Sequence, residues 1–269
     1  MNSDYRIGFC GFGHMAQIIF EAINRAKVTP RSHILFCRRD THKMKENEQR
    51  FGITSTSLAN LIHQSDVIFL CMRPQQVQLF MEELKKVKEF EGKWFVSILA
   101  GTKISYFQTH LGPKAQILRA LPNVGSAVTE GMTIMTYSPE CCAQFQSFAN
   151  ILFGSMGEIA ELPESLTDIA CGMAGSAIGF VFRLIEAEAR LGEKHGMNYA
   201  QALKIAAQAF AGAARLILKG GRPTDLMHTI ATPNGVTQAG FEAMTKLDVD
   251  HRFQAVIEAA ANRSRELSS

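Results

Sequence analysis

Gly11-Phe12-Gly13-His14-Met15-Ala16 follows a short apolar run and opens a stretch with helical apolar periodicity. This is the G-x-G-x-x-G/A pattern in the strand–turn–helix frame that binds a dinucleotide pyrophosphate. Gly11 permits the tight turn. Gly13 lets backbone amides approach phosphate with no Cβ in the way, and Ala16 keeps the helix against the sheet. The helix start adds unpaired N–H groups and the positive end of the helix dipole. Gly11, Phe12, Gly13, His14 and Met15 are therefore the expected pyrophosphate contacts. One strand later, Ile34–Cys37 runs into Arg38-Arg39. Two guanidinium groups at that point favour a 2′-phosphate, held by bidentate, charge-assisted hydrogen bonds. An NAD site usually places a carboxylate there. The reading is NADP(H), although Asp40, one residue late, leaves NAD open. The run Val67–Met72 then ends in Arg73-Pro74. Ligands of open parallel sheets lie beyond the carboxyl ends of the strands, so Arg73 is expected beside the cofactor, with Pro74 fixing the turn.

These residues need a frame of alternating strands and helices. Strand-like runs are Arg6–Cys10, Ile34–Cys37, Val67–Met72, Phe95–Leu99, Gln116–Ala120 and Met132–Thr136, with Gly157–Glu161 as a short last strand. Amphipathic stretches between them are Met15–Ala26, Thr41–Arg50, Ser57–His63, Val77–Val87, Ile104–Leu111 and Gln144–Phe153. The alternation predicts a parallel sheet with right-handed crossovers. After Leu162-Pro163 strand signals nearly vanish and alanine rises. Helical periodicity runs through Leu166–Lys194, Tyr199–Leu218, Pro223–Ile230, Val236–Lys246 and His251–Leu267. The fold class is α/β: a Rossmann domain over residues 1–162 and an all-helical domain over 163–269. Small residues crowd two of the later helices, at Gly172, Ala174, Gly175, Ala177 and Gly179, and from Ala206 to Ala214. A helical domain so rich in alanine has a thin core of its own, so it is expected to pack against a second subunit as a homodimer or higher oligomer.

Composition sets the remaining bounds. The chain has 269 residues and a net charge of +3, with no run of five or more Lys/Arg, which argues against a dedicated nucleic-acid binder. No basic segment precedes a long apolar stretch at the N-terminus, so no signal peptide is expected. The most apolar segment, Ile169 to Phe182, is short for a membrane span and is followed by Arg183 and Glu186. A cytoplasmic protein is the expectation. The six cysteines show no CxxC spacing, and Cys10, Cys37 and Cys71 lie in apolar strand-like runs where a thiol behaves as a small hydrophobe. Cys141-Cys142 is expected to be a reduced pair near a helix start. The eight histidines show neither HxxH nor HExxH spacing, so no metal site is expected.

Together these segments resemble the pyrroline-5-carboxylate reductase family over nearly the whole chain. The fingerprint fits, as does Arg73-Pro74, where the family usually has Lys-Pro. Ala100-Gly101 with Ile104 matches its A-G-x-x-I, and Arg119-Ala120-Leu121-Pro122-Asn123 resembles R-x-M-P-N. The most specific match is Thr232-Pro233-Asn234-Gly235-Val236-Thr237, which the family writes S-P-G-G-x-T before a helix. The resemblance implies NADPH-dependent reduction of a cyclic imine acid, 1-pyrroline-5-carboxylate to L-proline. It implies a small-molecule substrate and an active site in the cleft between the domains, completed by the partner subunit. Asn234, Gly235, Val236 and Thr237 would hold the substrate, with Ser176 near it. The turn has its own chemical logic. Its amides, at a helix start, bind a carboxylate, and the Thr237 hydroxyl hydrogen-bonds the ring nitrogen as that atom gains electron density. A Ser/Thr helix cap is the plainer role for Thr237.

The chain departs from the family where the long helix opens. Gly175-Ser176-Ala177-Ile178-Gly179-Phe180 stands where the family has G-S-G-P-A-Y, so a proline bend and a phenolic hydroxyl are missing. Leu121-Pro122-Asn123-Val124-Gly125 replaces M-P-N-T-P, and Leu58 stands where an Asn often lies near the adenosine ribose. Two alternatives share the N-terminal half: a reductase of another imine substrate, and a non-catalytic NADPH-binding regulator. A β-hydroxyacid dehydrogenase is disfavoured, because its K-x-x-x-N pair on the long helix corresponds to Arg183 and Ala187 here.

Overall fold

In the computed structural model, residues 4–87 and 90–267 are described. The chain runs β1 (Ile7–Cys10), α1 (His14–Ala26), β2 (Ile34–Cys37), α2 (Thr41–Phe51), β3 (Thr54–Ser55), α3 (Leu58–Gln64), β4 (Val67–Leu70), α4 (Val77–Leu84), β5 (Trp94–Ser97), α5 (Ile104–Leu111), β6 (Gln116–Pro122), β7 (Gly131–Tyr137), α6 (Ala143–Gly154) and β8 (Gly157–Glu161). The strands form one sheet in the order β3-β2-β1-β4-β5-β6-β7-β8. The first six are parallel, in the Rossmann order. β1 and β4 are buried on both faces, which is why they read as continuous apolar runs rather than alternating ones. One core, with Phe9 and Phe69 stacked at 4.9 Å, is filled by residues of α1 and α6. The opposite core takes Leu61 of α3, Phe80 of α4 and Phe107 of α5.

The all-parallel expectation fails at β7. That strand is antiparallel to β6, and β8 is parallel to β7. The link between β6 and β7 is a single 3₁₀ turn, Val124–Val128. A parallel crossover needs a dozen residues or more, so this connection permits only a reversal. β3 was absent from the sequence expectation, since two residues are too few to show a period of two.

Chain contacts divide the molecule into two compact units. One takes the described residues up to Ser176 and those from Ala259 onward, and the other is Ala177–Glu258. The first unit thus holds the chain past Pro163. Buried Arg119 on β6 pairs with Glu164 at 2.7 Å. Asn123 Nδ2 donates to the Ala174 carbonyl at 3.0 Å, and Ser264 Oγ donates to Asp168 Oδ1 at 2.6 Å. The helix expected over Leu166–Lys194 is not uniform. A short α7 (Thr167–Ala170) passes into a π-helical segment, Cys171–Ser176, and then α8 (Ala177–Lys194). π-Segments widen a helix locally and often mark functional positions.

The second unit is helical: α8, α9 (Tyr199–Leu218), α10 (Pro223–Ile230), α11 (Val236–Lys246) and the first part of α12 (Val249–Glu266), whose last turns belong to the first unit. Asn198 caps α9, accepting from the Ala200 and Gln201 amides. The buried hydrophobic residues of the second unit are only Ala189, Ala202 and Ala206, whereas Phe182, Leu191, Ile205 and Leu218 are exposed. Glu164–Lys194 forms 31 continuous helical residues with a window of mean hydropathy 1.5. By length and composition alone it is the one helix among the described residues long and apolar enough to cross a membrane. The helix extends well beyond the apolar segment Ile169 to Phe182 on both sides.

Candidate functional site

The carboxyl ends of β1, β2 and β4 meet over a cavity of about 580 Å³. Gly11, Phe12, Gly13, Arg38, Arg39 and Arg73 all line it. Gly11 has φ +91°, and a Cβ there would lie 2.7 Å from the Cys71 carbonyl oxygen. The turn therefore runs against the end of β4 and tolerates only glycine. A Cβ at Gly13 would meet no protein atom within 4 Å, so the space before α1 is open. Gly13 is the N-cap of α1 and supplies no side-chain cap, which leaves the first amides of the helix without an internal acceptor. Phe12 contributes only backbone to the cavity. Its ring is buried among Phe9, Phe20, Phe36 and Phe51, anchoring the turn to the core. Of the remaining expected contacts, His14 opens α1 exposed, Met15 packs partly buried against the core, and Pro74 starts the 3₁₀ turn Pro74–Gln76. None of these three lines the cavity.

The basic corner is richer than Arg38-Arg39 alone. Arg38 donates to the Phe12 carbonyl at 3.4 Å, and Arg39 pairs with Glu83 of α4 at 3.6 Å. Lys43, Thr56 and Ser57 complete that end, beside Leu58. Asp40 is the N-cap of α2, and its carboxylate accepts from the Lys43 amide at 3.0 Å. That amide hydrogen bond holds its pKa below the usual carboxylate value. The carboxylate that left NAD open is thus engaged in capping its own helix. Sequence reasoning missed Lys43, Thr56, Ser57 and Glu83. Ser57 is the N-cap of α3, and nothing local in the sequence says that this loop faces the end of β2. The thiols also differ from expectation. All three of Cys10, Cys37 and Cys71 line the cavity; Cys10 and Cys71 are held above their ordinary pKa by burial, whereas that of Cys37 is lowered.

The residues expected at the substrate fall in both units. Ser176 ends the π-helical segment in the first unit. Asn234, Gly235, Val236 and Thr237 form the entry to α11 in the second. The Gly235 amide donates to the Thr232 carbonyl at 2.9 Å, and a Cβ on Gly235 would lie 2.3 Å from Thr232 Oγ1. Asn234 has φ +57°, and its amide donates to Gln238 Oε1. The N-cap is Gly235, so Thr237 is not the cap of α11. The Val236, Thr237 and Gln238 amides occupy the turn of a helix that lacks internal acceptors, and Val236 is 94% exposed. An exposed helix start of this kind binds a carboxylate. On α8, Glu186 accepts from the Tyr199 hydroxyl and pairs with Arg190 at 2.8 Å, on a charged helix face.

Comparison with known proteins gives consistent matches for both parts of the chain. Residues 164–267 match the family model described as pyrroline-5-carboxylate reductase dimerisation, and residues 6–101 match NADP oxidoreductase coenzyme F420-dependent. The chain is 30% identical to pyrroline-5-carboxylate reductase 1 of Bacillus spizizenii, covering 98% of this chain and 89% of that one. It is also 30% identical to pyrroline-5-carboxylate reductase of Arabidopsis thaliana, covering 98% of this chain and 96% of the relative. Among solved structures it is similar to Plasmodium falciparum pyrroline carboxylate reductase with NADP bound. There the TM-score is 0.89 at 22% identity, and each chain is covered in full.

Proposed function

The chain belongs to the pyrroline-5-carboxylate reductase family, and we propose that it uses NADPH to reduce a cyclic imine acid, 1-pyrroline-5-carboxylate, to L-proline. The observation that carries the cofactor reading is the cavity at the strand ends. It combines a glycine-only turn, open helix amides and the cations Arg38, Arg39, Lys43 and Arg73. The cavity-lining turn through Gly13 and the helix start behind it, with the His14 and Met15 amides, take the pyrophosphate, and the guanidinium groups take the 2′-phosphate. Bound NADPH supplies the hydride. The turn Thr232–Thr237 supports the substrate reading. Its amides hold the carboxylate, which fixes the orientation of the ring, and the Thr237 hydroxyl donates to the imine nitrogen as it becomes an amine. Ser176, one turn before Phe180, lies on the segment where the family's proline and tyrosine are missing. Ile178 permits the π-segment to continue into α8 without a break.

The protein acts as a homo-oligomer through its dimerisation region, with a homodimer as the smallest unit. Six unpaired cysteines fit a cytoplasmic, reducing compartment. The test is loss of NADPH absorbance with purified protein and pyrroline-5-carboxylate, with proline measured as product and NADPH affinity followed by fluorescence. Stoichiometric proline formation at an ordinary enzymatic rate is expected. Tight NADPH binding without proline formation would overturn the substrate assignment and favour the regulator, for which the missing Phe180 hydroxyl is the specific sign.

A further inference from the structure

We propose that Cys10 and Cys37 form an oxidation site in the floor of the dinucleotide cavity, where a hydroperoxide converts the two thiols to a disulfide that weakens cofactor binding. The gating role rests on the dinucleotide reading above, whereas the thiol chemistry stands on the geometry of the sheet.

Cys10 ends β1 and Cys37 ends β2, and the two are direct register partners in the parallel ladder. Neighbouring strands lie about 4.8 Å apart, within the Cα separation that a disulfide spans. Both side chains share one face of the sheet. Cys10 belongs to the core that contains Leu70 and Phe80, and Cys37 packs against that same core. Cys71 packs against the opposite core, so it does not compete for either partner.

The pair is chemically asymmetric. Both line the cavity, but Cys10 is 1% exposed, while Cys37 is partly exposed beside Arg38. The Gly11 amide donates to the Cys37 carbonyl at 2.9 Å, and the two thiols are close enough to act on each other's ionisation. The neighbouring Cys10 and, less strongly, the Gly11 amide lower the Cys37 pKa against its partial burial, while burial raises that of Cys10. A partly exposed thiol with a lowered pKa next to a buried one is the arrangement of an attacking and a resolving cysteine.

The steps balance. The Cys37 thiolate attacks one oxygen of hydrogen peroxide, the O–O bond breaks, and hydroxide leaves, to be protonated to water. Cys37 is then a sulfenic acid. Cys10 loses its proton and attacks the Cys37 sulfur, the S–O bond breaks, and a second water leaves. Two thiols are oxidised by two electrons, and one peroxide is reduced to two waters. The new bond ties together the residues immediately before Gly11 and Arg38. Those are the segments on which the pyrophosphate and the 2′-phosphate rest, and the Gly11 amide already donates to the Cys37 carbonyl at 2.9 Å. Occupancy of the cavity covers Cys37, so cofactor and oxidant exclude one another.

The experiment treats the full-length chain with hydrogen peroxide, with and without saturating NADP⁺. Peptides are mapped under non-reducing conditions, and NADPH is titrated before treatment, after it, and after dithiothreitol. We expect a linked Cys10–Cys37 peptide, slower linkage when NADP⁺ is present, and a roughly tenfold loss of NADPH affinity that dithiothreitol restores. Cys37→Ser should abolish the linked peptide, and Cys71→Ser should retain it. Absence of the linked peptide in the wild type, or its persistence in Cys37→Ser, overturns the proposal. Full linkage with unchanged NADPH affinity overturns the gating role. If the reduced chain fails to bind NADPH while the linked peptide still forms, the dinucleotide reading has failed and the thiol pair stands.

Discussion

Arg39 has two claims on it. Its guanidinium faces the cavity but is paired with Glu83 on α4 at 3.6 Å, so a 2′-phosphate must displace that carboxylate. Arg38 is spared this competition, since it donates only to a backbone carbonyl. Substitutions at Arg38 and Glu83 should therefore act in opposite directions. Arg38→Glu removes a phosphate partner and adds a repelling charge, and should weaken NADPH far more than NADH in parallel fluorescence titrations. Glu83→Gln frees Arg39 and removes a like charge. Both partners are about half exposed, so the gain for NADPH should be modest, up to about fivefold, with NADH unchanged. Equal effects on both dinucleotides would detach these residues from the 2′-phosphate. Thr237 supports a prediction of another kind. It is not the N-cap of α11, so Thr237→Ala should leave the melting temperature and NADPH affinity nearly unchanged. Turnover should fall by about one to two orders of magnitude. Unchanged turnover would leave its hydroxyl without a role in the reaction. The arginines and the Thr232–Thr237 turn were readable in the sequence because strand, turn and helix start are local. Glu83 and Lys43 were not, since which helix faces the end of β2 is decided by packing.

The Gly11 turn ties a single residue to the placement of two strands. At φ +91° an L side chain is strained, and its Cβ would collide with the backbone of Cys71, which cannot swing aside as a side-chain tip can. Gly11→Ala should cost about 1–3 kcal/mol and lose most NADPH binding, by thermal denaturation and titration respectively. A variant that kept both would mean the turn relaxes freely, and the cradle would lose its physical basis. The same local logic explains which elements the sequence announced. β1, β2, β4, β5 and the helices between them carry strong periodic or continuous apolar patterns, and the structure has them within one to three residues at each end. The reversal at β7 depends on the length of one 3₁₀ connection rather than on any strand pattern. The π-helical segment Cys171–Ser176 is equally silent, because its glycines and small residues are compatible with an ordinary helix. It becomes visible only where Asn123 reaches the Ala174 carbonyl and Arg119 grips Glu164.

The molecule as a whole is unevenly built. The sheet unit buries dozens of large apolar side chains, while the helical unit buries three alanines and leaves Phe182, Leu191, Ile205 and Leu218 each more than half exposed. So large an exposed apolar surface calls for a cover, and the dimerisation model that matches residues 164–267 supplies one in a second copy of the chain. The apolar run Glu164–Lys194 falls within that matched region, which accounts for its hydropathy without a bilayer. Burying a Phe or Leu side chain contributes about 1.5–3 kcal/mol, and a symmetric interface counts each substitution twice. Phe182→Glu combined with Leu191→Glu should therefore convert the oligomer to monomer in light scattering behind size-exclusion chromatography. It should also lower the melting temperature of the helical unit, whose own core is thin. The effect on NADPH should be small, because the cavity is built entirely from residues 10–83 of the sheet unit. A double variant of unchanged mass would show that these side chains lie outside the interface. A wild-type chain that stays with membranes until detergent is added would assign the run to a bilayer instead.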